Sequence, residues 1–373
     1  IMNTINQHTR IYIGKDSLEH LKDIKNSKIF IVVDAFLVKN KMIDRILSNI
    51  DSSNKVKIFD EVKPDPSLEI VSKATAIMTE FKAEHIIGFG GGSAIDTAKG
   101  VIYFLKTSNE AKDNINFIAI PTTSGTGSEV TSVSVVTDEE KQVKHLLSSN
   151  EILPDEALLD ATFTLTVPPN IVANTGLDVF THIIEAYVAK CANDFSDAYA
   201  EKSGQLLVKY LYESYSDKDS FVAKEKMHIA SNLAGTAFNI AGLGLNHSIA
   251  HQIGGVFHIP HGLANAILLN YVIDFNCKSD IARKRYADFA RKIGIVEIYK
   301  SDDFAIRLLK SYITTLMKLL DMPLKISDCN IDKIAWDKNK ALMARNALED
   351  NCMKYTPLAA SEKDISKILD EIY

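Results

Sequence analysis

The feature that most constrains the fold is a series of short apolar runs, separated by helical segments, that end in aspartate, glycine or hydroxyl residues. Strands that alternate with helices form parallel β-α-β units, so the pattern predicts a doubly wound α/β sheet. The segments SVSVVTD and KHLLS predict a β-excursion from this domain. The four apolar runs are KIFIVVD (28–34), KVKIFD (55–60), HIIGFGGGS (85–93) and NFIAIPTTSGTGSEVTS (116–132).

The character of the sequence changes after LTVPPN (165–170). Two consecutive prolines, Pro168 and Pro169, indicate a boundary, and helical periodicity dominates from there to the C-terminus. The chain has 373 residues, more than one hydrophobic core usually organises. We therefore predict an α/β domain over residues 1–168 and an all-α domain over residues 169–373.

Composition excludes several classes of partner. The net charge is −6, so no basic surface for nucleic acid or an anionic membrane is indicated. No apolar run approaches the roughly 20 residues of a membrane span. We expect a cytoplasmic protein without disulfides or a thiolate zinc site, because its four cysteines are scattered. These are Cys191, Cys277, Cys329 and Cys352.

The glycine-rich segment at residues 88–93 joins a predicted strand to a predicted helix and has the pattern G-x-G-x-x-S. Glycines let a backbone approach a pyrophosphate closely, and a helix N-terminus supplies N–H groups and partial positive charge. The pattern differs from the full dinucleotide fingerprint G-x-G-x-x-G. A phosphate-binding loop is therefore predicted, with a purely structural strand-to-helix turn as the alternative.

Two further features favour a nucleotide site. Asp34 ends a predicted strand, where a carboxylate can accept hydrogen bonds from an adenosine ribose; a helix N-cap is the alternative role. The segment PTTSGTGSE (121–129) offers hydroxyl and N–H groups after another strand, although an ordinary solvated loop would look similar. Because both loops follow strands, we expect them at the same edge of the sheet. The hydroxyl residues are Thr122, Thr123, Ser124, Thr126 and Ser128.

Four of the ten histidines lie within HSIAHQIGGVFHIPHG (247–262). His247 and His251 are four residues apart and would share one face of a helix, while His261 follows a proline in a predicted loop. Asp178 and His182 form a second pair with helical spacing. Any one of these histidines alone would be an ordinary buried or surface residue. Together, imidazoles and a carboxylate indicate a site for iron or zinc.

Four segments together resemble the iron-containing alcohol dehydrogenase family over nearly the whole chain and in the family's order. The resemblance implies the dehydroquinate synthase-like fold of that family, with an N-terminal dinucleotide-binding domain and an all-α C-terminal metal-binding domain. It also implies reversible hydride transfer between NAD(H) and a small primary alcohol or aldehyde, with Fe²⁺ as the metal and Zn²⁺ as the alternative. The segments are GFGGGSAIDTAKG, PTTSGTGSEVT, TGLDVFTHIIEAY and HSIAHQIGGVFHIPHGLANAILL.

The resemblance also implies roles for individual residues. His251 matches the catalytic histidine beside the nicotinamide and the substrate, and Asp34 matches the residue that binds the adenosine ribose and favours NAD over NADP. The implied metal ligands are Asp178, His182, His247 and His261. The other implied cofactor-binding residues are Asp65, Gly91, Gly92, Ser93, Thr122, Thr123, Ser124, Ser128 and Lys144.

Within the family, residues 174–202 and 241–255 resemble most the propanol-forming dehydrogenases of propanediol-utilising bacterial microcompartments, followed by their ethanol-forming counterparts. This implies reduction of propanal to 1-propanol, a homo-oligomer, and microcompartment shell or enzyme partners. The N-terminus and the C-terminal EKDISKILDEIY are candidate encapsulation tags. Alternatives are an ethanol or butanol dehydrogenase, a glycerol dehydrogenase, a lyase of the dehydroquinate synthase type, and a non-catalytic compartment protein.

Overall fold

The computed structural model describes residue 5 and residues 8–64, 66–108, 115–138 and 143–373. The chain divides into two compact units, Ile1–Thr166 and Val167–Tyr373. Two hydrophobic cores lie in the first unit and one large core lies in the second. Pro168, which we predicted to end the first domain, is the N-cap of the first long helix of the second unit.

The first unit contains a six-stranded parallel sheet with the order β1-β8-β5-β4-β2-β3, which confirms the predicted α/β class. The predicted β-excursion is an antiparallel pair, β6 and β7. The strands are β1 (Arg10–Ile13), β2 (Lys28–Asp34), β3 (Lys55–Val62), β4 (His85–Gly90), β5 (Asn116–Pro121), β6 (Val133–Asp138), β7 (Val143–Ser148) and β8 (Glu156–Leu159). The helices are α1 (Ala35–Lys39), α2 (Ile43–Leu47), α3 (Leu68–Phe81) and α4 (Gly92–Thr107).

The central strands are apolar along their whole length because both faces of the sheet are covered. In β2, Ile29 and Ile31 belong to the core that includes residues of α1 and α2. Phe30 and Val32 belong to the core that includes residues of α3 and α4. A strand buried on both faces shows a continuous apolar run rather than alternation, which explains the sequence pattern of this unit.

The strand order contains a switch point between β2 and β4. The chain passes from β2 outward to β3 and then returns to the other side of β2 as β4. Val33 is paired with Phe89, so Asp34 and Gly90 follow on neighbouring strand ends. In open α/β sheets, ligands bind outside the carboxyl ends of the strands at such a point.

The second unit is helical throughout its regular structure, as predicted. Helix α5 is largely buried among its neighbours, and a glycine sets one of its contacts: a Cβ at Gly262 would lie 2.0 Å from the Asn174 carbonyl oxygen. Among the described helices, none combines the length and apolar character needed to cross a bilayer. The helices are α5 (Pro169–Val188), α6 (Asp194–Ser216), α7 (Phe221–Ala241), α8 (Leu245–Phe257), α9 (His261–Asn276), α10 (Asp280–Lys292), α11 (Asp302–Leu319), α12 (Lys333–Glu349) and α13 (Glu362–Glu371).

Candidate metal centre and cofactor loops

One carboxylate and three imidazoles converge in the second unit, from three different helices. Asp178 and His182 lie one turn apart on α5, His247 lies in the first turn of α8, and His261 is the first residue of α9. Each offers one ligand atom, and these four atoms all lie within 4.8 Å of one another. The structure thus brings together the four residues that the sequence singled out.

The spacing of these atoms suits a single metal ion. Asp178 Oδ1 is 3.6 Å from His261 Nε2 and 3.8 Å from His247 Nε2, and Asp178 Oδ2 is 3.9 Å from His182 Nε2. An ion about 2.1 Å from each of four tetrahedral ligand atoms would hold them about 3.4 Å apart. The donor set and its dimensions therefore fit an iron or zinc ion.

Burial differs among the four side chains. Asp178, His182 and His247 are buried, whereas 42% of the His261 side chain is exposed. A catalytic metal site needs an open position for the substrate, while a structural site is closed on all sides. The exposed side of His261 therefore fits a catalytic site better than a closed structural site.

Electrostatics favour the metal-binding protonation states of two of the four residues, Asp178 and His247. Burial would raise the pKa of Asp178, but the nearby His182, His261 and His247 outweigh it and lower that pKa. Burial, reinforced by the neighbouring imidazoles, holds the pKa of His247 well below its usual value. A carboxylate and a neutral imidazole, the forms that bind metals, are favoured near neutral pH.

Two buried residues that we did not identify from the sequence contact these ligands. Glu185 Oε2 lies 2.5 Å from His247 Nδ1. The Asn265 amide donates hydrogen bonds from Nδ2 to Asp178 Oδ1 at 2.8 Å and to Nε2 of His261 at 3.1 Å. A periodic signal exists for both, because Glu185 follows Asp178 by seven residues and Asn265 follows His261 by four.

His251 belongs to a neighbouring group and not to the four-ligand cluster. Its Nδ1 atom lies 2.8 Å from Asp350 Oδ2, and its ring stacks on His261 with centroids 5.4 Å apart. Burial would raise the pKa of Asp350, but the His251 hydrogen bond and charge outweigh it and lower that pKa. Asp350 carried no local sequence signal, since 99 residues separate it from His251.

The prediction that His261 lies in a loop is wrong. His258 ends α8 in the left-handed region, with φ 55°, and Pro260 is the N-cap of α9. Proline is followed at once by helical residues because its restricted φ suits a helix start. His261 is consequently fixed by the first turn of a helix, while the exposed His258 takes no part in the cluster.

The glycine loop forms the start of α4 in the first unit. Gly91 is the N-cap and has no side-chain capping hydrogen bond, and Gly92 and Ser93 are the first two helical residues. A Cβ at Gly92 would meet Thr126 Cγ2 at 2.8 Å, so the glycine is needed for close packing with the hydroxyl loop. First-turn N–H groups of this kind can bind a phosphate.

Asp34 serves as a helix N-cap and also lies where a ribose-binding carboxylate was predicted. Its Oδ1 atom accepts a hydrogen bond from the Leu37 N–H at 3.0 Å and so caps α1. Its Oδ2 atom lies beside the glycine loop, 3.3 Å from where a Cβ of Gly90 would stand. The carboxylate is thus both an N-cap and a group at the switch point of the sheet.

The hydroxyl loop adjoins the glycine loop, as expected from their positions after neighbouring strands. The Thr122 N–H donates to the Gly90 carbonyl at 2.9 Å, and Thr123 Oγ1 would lie 3.5 Å from a Cβ of Gly91. Ser124 is the next residue of this loop. Thr122 is buried and thereby fixed against the sheet.

Three other residues have implied cofactor roles: Ser128, Lys144 and Asp65. Ser128 Oγ donates to Asp96 Oδ1 at 2.6 Å and accepts from Lys99 Nζ at 2.9 Å. This hydroxyl is therefore already hydrogen-bonded to two side chains of the protein. Lys144 is paired with Thr137 in the β6–β7 hairpin, but its side chain lies outside the described residues, as does Asp65.

Comparison with known proteins identifies the family. The family model "Iron-containing alcohol dehydrogenase" matches residues 8–161, and "Fe-containing alcohol dehydrogenase family, C-terminal" matches residues 172–373. The chain is 42% identical over 371 residues to 1-propanol dehydrogenase PduQ of Citrobacter freundii, with 100% of both chains covered. It is 37% identical to an NADPH-dependent butanol dehydrogenase of Clostridium saccharobutylicum, covering 97% of this chain and 96% of that one.

Solved structures agree with this result. The alcohol dehydrogenase from Oenococcus oeni superposes with a TM-score of 0.92 at 30% identity, and the match covers 100% of both chains. Its likeness extends over the α/β unit and the helical unit alike. The chain therefore belongs to the iron-containing alcohol dehydrogenase family and interconverts alcohols and aldehydes with NAD(H) and Fe²⁺.

Proposed function

We propose that this enzyme reduces propanal to 1-propanol with NADH and catalyses the reverse oxidation. The observation that carries this choice is the 42% identity, over the whole chain, to 1-propanol dehydrogenases of Citrobacter freundii and Salmonella typhimurium. Butanal reduction is the second candidate, supported by the 37% identity to a butanol dehydrogenase.

In this proposal Asp178, His182, His247 and His261 hold the Fe²⁺ ion, with Zn²⁺ as the alternative metal. When bound, the metal supplies a Lewis acid for the substrate oxygen. The four side chains contribute one negative charge and three neutral imidazoles, so the site retains a net positive charge toward that oxygen. The exposed side of His261 is the side from which a substrate can approach.

His251 is proposed as the catalytic residue that transfers the alcohol proton, while the nicotinamide donates or accepts the hydride. Its side chain is 22% exposed and therefore able to exchange a proton with solvent. Asp350 accepts from Nδ1 and so orients the ring, which leaves Nε2 for the proton transfer.

The cofactor is proposed to bind at the carboxyl ends of β2, β4 and β5. Gly91, Gly92 and Ser93 would bind the pyrophosphate through the free N–H groups of α4, and Asp34 Oδ2 would accept from the adenosine ribose. Ser128 would act indirectly, because its hydroxyl holds the loop in place. The other proposed cofactor residues are Asp65, Thr122, Thr123, Ser124 and Lys144.

We further propose that the enzyme is a homo-oligomer that works inside a bacterial microcompartment with shell or enzyme partners, as its similarity to the PduQ proteins supports. The C-terminal candidate tag is less suited to this role than expected, since Ile365, Ile368 and Leu369 of α13 are buried in the core. The N-terminal candidate lies mostly outside the described residues. Fusing each segment to a fluorescent protein, with shell proteins co-expressed, tests both.

Substrate profiling tests the central proposal. We expect kcat/KM of the Fe²⁺-loaded enzyme to be highest for propanal with NADH in a series that includes acetaldehyde, butanal and NADPH. A higher value for butanal with NADPH would favour the second candidate. The His182→Ala variant serves as the control for background reduction.

A further inference from the structure

We propose that Glu185 is a positioning residue of the metal centre: from α5, its carboxylate holds His247 of α8 in the tautomer whose Nε2 atom can bind a metal. The inference rests on the proposed ligand set, of which His247 is a member. Three observations on different atoms support it.

Glu185 lies on the same face of α5 as the two proposed ligands of that helix. It follows His182 by three residues and Asp178 by seven, and it is only 3% exposed. Its Oε2 atom is 2.5 Å from His247 Nδ1. Both oxygens of this carboxyl also accept main-chain N–H groups of α8, so the carboxyl acts as an acceptor toward the ring as well. With Nδ1 as the donor, Nε2 carries the lone pair.

The opposite edge of the same ring specifies the same tautomer. Asn265 Nδ2, which shares its two hydrogens among Asp178 Oδ1, His261 Nε2 and His247 Nε2, lies 3.2 Å from the last of these atoms. Since an amide NH₂ can only donate, a proton on His247 Nε2 would face it unfavourably, which favours Nε2 as an acceptor. The orientation of that amide is set by Asn246, whose Nδ2 donates to Asn265 Oδ1 at 2.9 Å. The contacts of the two ring nitrogens thus favour the same tautomer.

Glu185 also fixes the backbone that carries His247. Helix α8 has Gly244 as its N-cap, without a side-chain capping hydrogen bond. The carboxylate takes that role from another helix: Oε1 accepts from the Asn246 N–H at 2.7 Å, and Oε2 accepts from the His247 N–H at 3.2 Å. Both the ring and the main chain of one ligand are therefore constrained by a single side chain.

A capping role alone and a positioning role predict different effects of Glu185→Gln. The amide oxygen of glutamine can still accept from the Asn246 N–H, so the shorter of the two cap hydrogen bonds is kept, while the His247 N–H loses its acceptor. Its NH₂ group would then face His247 Nδ1 and favour the Nε2–H tautomer, which has no lone pair on Nε2 for a metal at this site. Outer-shell partners of this kind are typically worth about 10–100-fold in metal affinity.

The test is a titration of the metal-free, full-length protein with Zn²⁺ against a chelator of known affinity. We expect Glu185→Gln to weaken Zn²⁺ binding about 10–100-fold with an intact circular dichroism spectrum. Glu185→Asp, which keeps the charge, should weaken it less. Glu201→Gln is the matched control, because it makes the same change to a carboxylate that accepts from the Tyr187 hydroxyl at 3.0 Å and lies outside the proposed ligand group; it should leave Zn²⁺ affinity within about threefold.

Histidine-¹⁵N NMR of the metal-free wild type gives a readout that does not depend on any variant folding. We expect the Nδ1–H tautomer for His247; the Nε2–H tautomer there, or unchanged affinity in Glu185→Gln, would overturn the inference. Equal weakening by Glu185→Asp and Glu185→Gln would also contradict it. The ligand set is tested separately by His247→Ala: if that variant binds Zn²⁺ like the wild type, the proposed function fails at its metal site.

Discussion

The proposed metal centre and the proposed cofactor loops use different chemical groups of the chain. In the helical unit, four side chains converge from three helices, so the site depends on which side chains are present. In the α/β unit, the loops after β4 and β5 present main-chain N–H groups, and glycines matter there for the space they leave. A single substitution of a ligand should therefore abolish metal binding, whereas a single substitution in the loops should weaken cofactor binding only partly.

Buried charged side chains also have different roles in the two units. Around Asp178 it faces the ligand cluster, and the pKa of this carboxyl is low because three imidazoles outweigh its burial. In the α/β unit, Lys99 is fully buried and donates to Ser128, Thr131 and the Val133 carbonyl, which ties α4 to the hydroxyl loop. There the charge holds a loop in shape rather than binding a ligand.

The largest effect is expected from removing a metal ligand. His182→Ala and His261→Ala should lose bound metal and with it the several kcal/mol of transition-state stabilisation that a Lewis acid supplies, at least about 10³-fold in rate. The fold should survive, because the helices keep their own packing. Elemental analysis of the purified variants measures this, and full metal occupancy in both would disprove the ligand assignment.

The next effect concerns His251, which separates proton transfer from metal binding within the helical unit. His251→Ala should keep its metal and lose about 10²–10⁴-fold in kcat, the range typical of a general acid–base residue. Metal content and kcat should be measured on the same preparation. Loss of both would make His251 a ligand and would put the role of His247 in doubt.

A smaller and graded effect is expected at Asp34. Asp34→Asn should keep the α1 cap but lose the charge, so kcat/KM for NADH should fall about 10–100-fold as one charge-assisted hydrogen bond of about 1.5–3 kcal/mol is lost. NADPH use should rise, because a carboxylate repels the 2′-phosphate. Asp34→Gly, which also removes the cap, is the companion variant. An unchanged NADH/NADPH ratio in both would mean that Asp34 only caps the helix.

The smallest effect on turnover is expected at Lys99, whose contribution appears in stability instead. Burial lowers the pKa of Lys99 from 10.5 to about 8. Between about pH 8 and 10.5 the unfolded chain binds this proton more than the folded protein does, so Lys99 makes stability rise with pH there, by at most about 3 kcal/mol. Urea unfolding of wild type and Lys99→Met should diverge accordingly across that window, while Lys106→Met on the same helix should follow wild type.

The sequence predicted most of the sheet but missed its short members. Strands β2, β3, β4 and β5 were visible as apolar runs, because sheet burial demands them. Strands β1 and β8 have four residues each, and β1 is mostly exposed at the sheet edge, so neither has a distinctive pattern.

For the candidate site, the sequence indicated the proposed ligands but not the residues that hydrogen-bond to them. Asp178, His182 and His247 stood out because such residues are rare on apolar helix faces. Glu185 shares that face, but one glutamate on a helix is not a metal-site signal by itself. Asp350 contacts His251 only through the tertiary fold. His261 was assigned to a loop because proline and glycine flank it, although proline also starts helices.

The contact at Gly262 bears on how the metal centre responds to ions of different size. At this point α9 meets the Asn174 carbonyl of α5, main chain against main chain, where a Cβ would stand 2.0 Å from the oxygen. Close-packed atoms at such a contact leave little room for a closer approach. The separation between Asp178 and the start of α9 is therefore set by a rigid stop, and a larger or smaller ion must be accommodated by rotating imidazole rings. Selectivity among divalent metals should accordingly depend on ring rotamers, and enlarging this one small residue would change the dimensions of the whole site.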